Sequence, residues 1–143
     1  MKEFPLLLAE VRTIRHWLAE QACAAGLQPM RVGHAGIVAS ELLVNLIRHA
    51  RPVPPTVVVR CQPGARRLTV TIEAAAHSFA SDVAFHDAIR APDFSDTTAL
   101  DALPEGGMGL FLATQFTEEL RYTAARDSRT PERFTFVIAE TAA

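Results

Sequence analysis

The sequence predicts a two-layer α/β sandwich, a mostly antiparallel mixed sheet covered on one face by helices. Three observations predict it: two long helical patterns open the chain, two β-hairpin patterns follow, and a further helical stretch separates the hairpins. Helices gathered beside antiparallel strands give an α+β arrangement, because the apolar face of each hairpin needs a layer to cover it. At 143 residues the chain is expected to form one domain, 1–143, with a sizeable core. Hydrophobic residues make up 49% of it, which excludes a disordered chain.

Residues 6–25 read as the first helix. Leu7, Val11, Ile14, Leu18 and Ala22 follow the helical period, while Glu10, Arg12, Arg15 and Gln21 fall on other faces. Gly26 stands where a C-terminal cap belongs. Gln28-Pro29 opens the second helix, with Pro in the first turn where no N–H is lost, and the pattern runs to about His49. Gly33 and Gly36 inside it cost about 1 kcal/mol each against Ala. They read either as points of close packing on the first helix or as an imperfect start. His34 reads as an exposed helix histidine. Arg51-Pro52-Val53-Pro54-Pro55 then ends the helix and forces extended chain.

Thr56-Val57-Val58-Val59-Arg60-Cys61 is rich in β-branched residues and reads as a strand. Pro63-Gly64 is a turn signal. Arg67 to Glu73 alternates polar and apolar, so Leu68, Val70 and Ile72 share the buried face. Asp82 to Ile89 reads as a short helix capped by Ser81, and Asp93 to Thr98 as a polar turn. Leu110 to Phe116 is helical, Glu119 to Ala124 a strand, and Arg133 to Ile138 the closing strand with Phe134 and Phe136 on one face.

Several functions are disfavoured at this level. A net charge of −2 argues against nucleic acid as the main partner. No apolar run is long enough to span a bilayer. Met1-Lys2-Glu3-Phe4-Pro5 lacks the layout of a signal peptide, so the expected location is cytoplasmic. Cys23 and Cys61 have no metal-ligand spacing and read as buried small hydrophobes.

Two stretches carry chemistry. In Ala39 to Ala50, Glu41, Asn45 and His49 recur at i, i+4, i+8 and form a thin polar line on an otherwise apolar helix. Such a line marks either the wet side of the helix or the wall of a polar cavity. In Glu105-Gly106-Gly107-Met108-Gly109-Leu110, three glycines in four positions run into an apolar helical pattern. Glycines let backbone N–H groups approach a ligand closely, and a helix N-terminus adds partial positive charge. Together they outline a phosphate cradle.

The two stretches carry a family resemblance. Glu41 to Ala50 resembles the N-box of the GHKL ATPases, and Gly106-Gly107-Met108-Gly109-Leu110 resembles their second glycine box. The Glu-x-x-x-Asn-x-x-x-His-Ala form and the small size are most similar to the bacterial anti-sigma-factor serine kinases, which carry the histidine-kinase-like (Bergerat-type) ATP-binding fold alone. The resemblance implies ATP and Mg²⁺ as cofactors, Asn45 as the metal ligand, and Glu41 as general base on an attacking hydroxyl. It places His49, Ala74, Gly106, Gly107, Met108, Gly109 and Leu110 around the nucleotide and makes residues 80–107 an ATP lid. The implied partners are a sigma factor and an anti-sigma-factor antagonist that carries the acceptor serine, with dimerisation of two copies common in that branch.

One box departs from the pattern. The family carries Asp-x-Gly after the second hairpin strand, where the Asp accepts a hydrogen bond from the adenine amino group. Here the stretch is Ile72-Glu73-Ala74-Ala75-Ala76-His77-Ser78-Phe79, which puts Ala74 at the Asp and Ala76 at the Gly. Strand parity places Glu73 on the opposite face from Leu68, Val70 and Ile72. Two functions therefore stand side by side: a protein serine kinase that switches between partners, and a non-catalytic module of the same fold that captures a partner. A metal site made by Glu41 and His49 alone is disfavoured by their i, i+8 spacing.

Overall fold

The computed structural model describes residues 1–79, 81–89, 107–127 and 129–140. In chain order the elements are β1 (Lys2–Pro5), α1 (Leu8–Ala24), α2 (Pro29–His49), β2 (Thr56–Gly64), β3 (Arg67–Ala74), α3 (Asp82–Ala88), α4 (Gly107–Phe116), β4 (Glu119–Thr123) and β5 (Glu132–Ala139). The five strands form one sheet in the order β1-β2-β3-β5-β4. All four pairings are antiparallel, so the predicted two-layer sandwich is the observed fold.

Alternation along the strands decides which face the helices cover. Leu68, Val70, Ile72 and Ala74 of β3 and Phe134, Phe136 and Ile138 of β5 are all buried. They meet Ile14 and Leu18 of α1 and Leu42, Leu43 and Leu46 of α2 in one core. The other face of the sheet is polar, with Thr71 beside Thr135 and Arg60 paired to Glu73. Helix α2 is 21 residues long, and its mean hydropathy of 1.2 would let it cross a membrane by length and composition alone. On that measure α2 corrects the expectation that no apolar stretch is long enough to span a bilayer. Its seven fully buried residues are those of a core helix.

The α1–α2 connection follows the sequence closely. Gly26 adopts φ +85°, Leu27 N–H bonds to Ala22 C=O and Gly26 N–H to Cys23 C=O, a Schellman cap. Ser81 caps α3 through its side-chain oxygen, which accepts from Ala84 N–H at 3.1 Å. The two helix glycines differ. A Cβ on Gly36 would meet the Arg15 side chain at 3.4 Å, whereas one on Gly33 would meet nothing within 4 Å.

Several readings differ from the observed structure. Strand β1 goes unread, because Phe4 is the only buried residue of its four and gives no alternation to detect. Strand β2 runs on through Pro63 and Gly64, and the turn falls at Ala65-Arg66, where Arg66 takes φ +55°. Proline is tolerated there because β1 pairs with β2 only as far as Val59, leaving the end of β2 an open edge. Helix α4 begins at Gly107 rather than Leu110. His34 is half-buried against Phe116 rather than exposed.

Candidate functional site

The orientation of α2 is fixed by its apolar side. Leu42, Leu43 and Leu46 are at most 1% exposed, which turns Glu41 and Asn45 to a half-buried position and leaves His49 exposed. Neither Glu41 nor Asn45 has a hydrogen bond or ion pair among the described residues. Half-buried polar groups usually find partners within a fold, so this carboxylate and this amide remain available to a ligand. The phosphate-and-metal side of the expected cofactor therefore fits the residues present: a neutral amide oxygen suits Mg²⁺, and a carboxylate one turn away suits a base.

Helix α4 packs against α2. Leu110 and Ala113 are buried, and Phe116 stacks on His34 with ring centroids 4.4 Å apart. The 10 residues of α4 span about 15 Å, and His34 to Asn45 spans about 16 Å along α2. The two stretches are thus of similar length. Gly107, Met108 and Gly109 form its first turn, whose N–H groups have no helical acceptors. Gly106 and most of the expected lid, residue 80 and 90–106, lie outside the described residues. Residues 82–88 of that segment are α3.

The adenine side is different. Ala74 is 2% exposed and Ala76 4%. Glu73 lies on the far face, where its Oε1 accepts from Arg60 Nε at 2.7 Å, as parity predicts. Directly across the sheet from Ala74 stands Glu132, the partner of its Cα in the β3–β5 register. Glu132 is fully buried, the single buried charged residue among those described.

Its carboxylate is engaged by three donors. Ser78 Oγ donates to Oε1 at 2.5 Å, Ser78 N–H donates to Oε2 at 2.9 Å, and Tyr122 Oη donates to Oε2 at 3.0 Å. Burial, then the Glu132 charge and hydrogen bond, hold the Tyr122 hydroxyl well above its usual pKa. Phe79, Phe85, Tyr122 and Phe134 pack around the group as a ring cluster. The sequence reading misses Glu132. The signal was present: Glu132, Phe134 and Phe136 share one parity, so a charge stood on the buried face.

A groove and a smaller cavity open on the described surface, the smaller one beside Ala76. The groove, of about 960 Å³, lies between α1 and α2, lined by residues that include Val11, Arg12, Arg15, Val32 and Gly33, and by none of the expected site residues. The smaller cavity, of about 150 Å³, is lined by His77, Asp127, Arg129 and Thr130 among others. Among the described residues no group of three His, Cys, Asp or Glu could hold a metal.

The family of histidine kinase-like ATPase domains matches residues 4–139, from β1 to the end of β5. The chain belongs to that family. The match takes in α2, the glycine-led α4 and the Ala74–Glu132 pair within one domain, which is the GHKL type that the N-box and glycine box imply. No curated protein matches this histidine kinase-like ATPase domain.

Proposed function

We propose that this histidine kinase-like ATPase domain binds Mg²⁺ and ATP and transfers phosphate to a serine of a partner protein. The partners would be those of the anti-sigma-factor kinases it resembles, a sigma factor and an antagonist, in the cytoplasm. The observation that carries the proposal is Glu41 and Asn45, half-buried, one helical turn apart and unpartnered among the described residues. Asn45 would hold the metal, which supplies charge neutralisation to the phosphates when bound. Glu41 would take the proton from the acceptor hydroxyl. The N–H groups at the start of α4 would face phosphate oxygens.

A second function, partner capture without catalysis, is favoured by one observation: the position matched to the adenine-reading Asp is Ala74, sealed in the core. Calorimetry with Mg·ATP separates the two. Binding that is lost in Asn45→Ala supports the kinase. Absence of binding in the unaltered chain removes it and leaves the capture module.

A further inference from the structure

At the β3 positions matched to the base-reading box, and at the β5 residue opposite, no side chain among the described residues offers an unengaged hydrogen-bonding group. On β3, Ala74 and Ala76 are aliphatic and buried. Glu73, the nearest carboxylate in sequence, is turned to the opposite face and paired with Arg60. On β5, Glu132 is on the correct face but fully buried, with Oε1 taken by Ser78 Oγ and Oε2 by Ser78 N–H and Tyr122 Oη.

A nucleobase could reach that carboxylate only by displacing these donors. Ser78 N–H and Tyr122 Oη would then need new acceptors inside the Phe79–Phe85–Phe134 cluster, and an unmade buried hydrogen bond is costly. Ala74 has no side-chain oxygen to accept from an exocyclic amino group. The phosphate side, by contrast, keeps Glu41 and Asn45 unpartnered among the described residues.

We infer that this domain grips the metal and triphosphate of a purine nucleotide without reading the group at position 6 of the ring. This inference rests on the proposed nucleotide binding and narrows it. Shape and stacking would still hold the ring, but amino and oxo purines would be equivalent, since discrimination of that kind comes from a polar partner placed for one of them.

The test titrates the full chain with Mg·ATP and with Mg·ITP, whose rings differ at position 6, amino against oxo, and with it at N1, an acceptor against an N–H donor. Dissociation constants within about threefold are expected. A preference of tenfold or more for either overturns the inference and leaves nucleotide binding standing. Failure of both to bind at millimolar concentration overturns the inference and the proposed function together. The double variant Ala74→Asp with Glu132→Gln supplies a second reading. It restores an acceptor on β3 and keeps an acceptor for Tyr122, and it is expected to prefer ATP by about tenfold. A folded double variant that still treats the two alike overturns the assignment of Ala74 to the base.

Discussion

Ala74 and Glu132 are opposed across β3 and β5, both on the helix side of the sheet and both buried. Their Cα atoms are therefore about 5 Å apart, as in any antiparallel pair. Placing a carboxylate at 74 would put it beside an existing one. Ala74→Asp alone is expected to destabilise the fold by about 3 kcal/mol or more, through a buried uncompensated charge. Adding Glu132→Gln should recover most of that loss. Urea unfolding of both single variants and the double reads the coupling, and strict additivity would mean that the two side chains do not meet.

Tyr122→Phe removes one hydrogen bond to a charged acceptor and should cost about 1.5–3 kcal/mol. It should also change the pH dependence. The folded hydroxyl is held above its ordinary value of 10.0. As pH rises past 10 the unfolded chain loses this proton first, so folding stability falls with rising pH there. That component should be absent from the variant, measured as the difference between the two pH profiles of the unfolding midpoint.

Asn45→Ala and Glu41→Gln should separate ligand binding from stability. Since neither side chain has a partner among the described residues, each substitution should shift stability by less than about 0.5 kcal/mol. Asn45→Ala should abolish Mg·ATP binding in calorimetry. Glu41→Gln should retain binding while phosphate transfer to a partner falls by about 100-fold or more. A large loss of stability in either would assign these residues to the core.

His34→Phe should stabilise the domain at low pH. The Nδ1 of His34 is buried with no hydrogen-bond partner among the described residues. Burial, followed by the nearby Arg31 charge, lowers its pKa below 6.5. The unfolded chain therefore binds a proton first as pH falls below 6.5, and stability drops in that window. Phenylalanine keeps the stack on Phe116 and removes both effects, for a gain of about 1 kcal/mol at pH 5. Thermal melts at pH 5 and pH 8 check it.

The two cysteines should react at very different rates. Cys23 is exposed, contrary to the expectation of two buried cysteines, whereas burial pushes the Cys61 thiol up to about 11. A maleimide at pH 7.5 should label Cys23 first, and labelling of Cys61 should accelerate as pH approaches 11. Peptide mapping by mass spectrometry assigns the sites.

Periodicity carried most of the fold, and particular residues show where it stopped. Leu68, Val70 and Ile72 announced a one-sided strand, and the same parity correctly placed Glu73 on the far face. Phe4 could not announce β1, because one buried residue has no period. Pro63-Gly64 reads as a turn locally, yet the end of the hairpin depends on how far β1 extends alongside, a long-range fact. At the site, the Glu41–Asn45 spacing was legible because one helix holds both. The role of Glu132 was not, since its partners Ser78 and Tyr122 lie 54 and 10 residues away in sequence.

One end of the sandwich is stitched by backbone and side-chain bonds. Arg66 N–H reaches Ala25 C=O, Glu140 N–H reaches Arg66 C=O, and Glu140 Oε1 accepts from Gln28 N–H. The α1–α2 corner, the first hairpin's tip and the tail of β5 are thereby tied to one another. Asn45, Ala74 and Glu132 sit at the other ends of their elements. Three segments far apart in sequence are thereby anchored to one another at the end opposite Ala74 and Glu132, and the amides of Arg66, Glu140 and Gln28 should exchange with solvent more slowly than unbonded amides of the same surface.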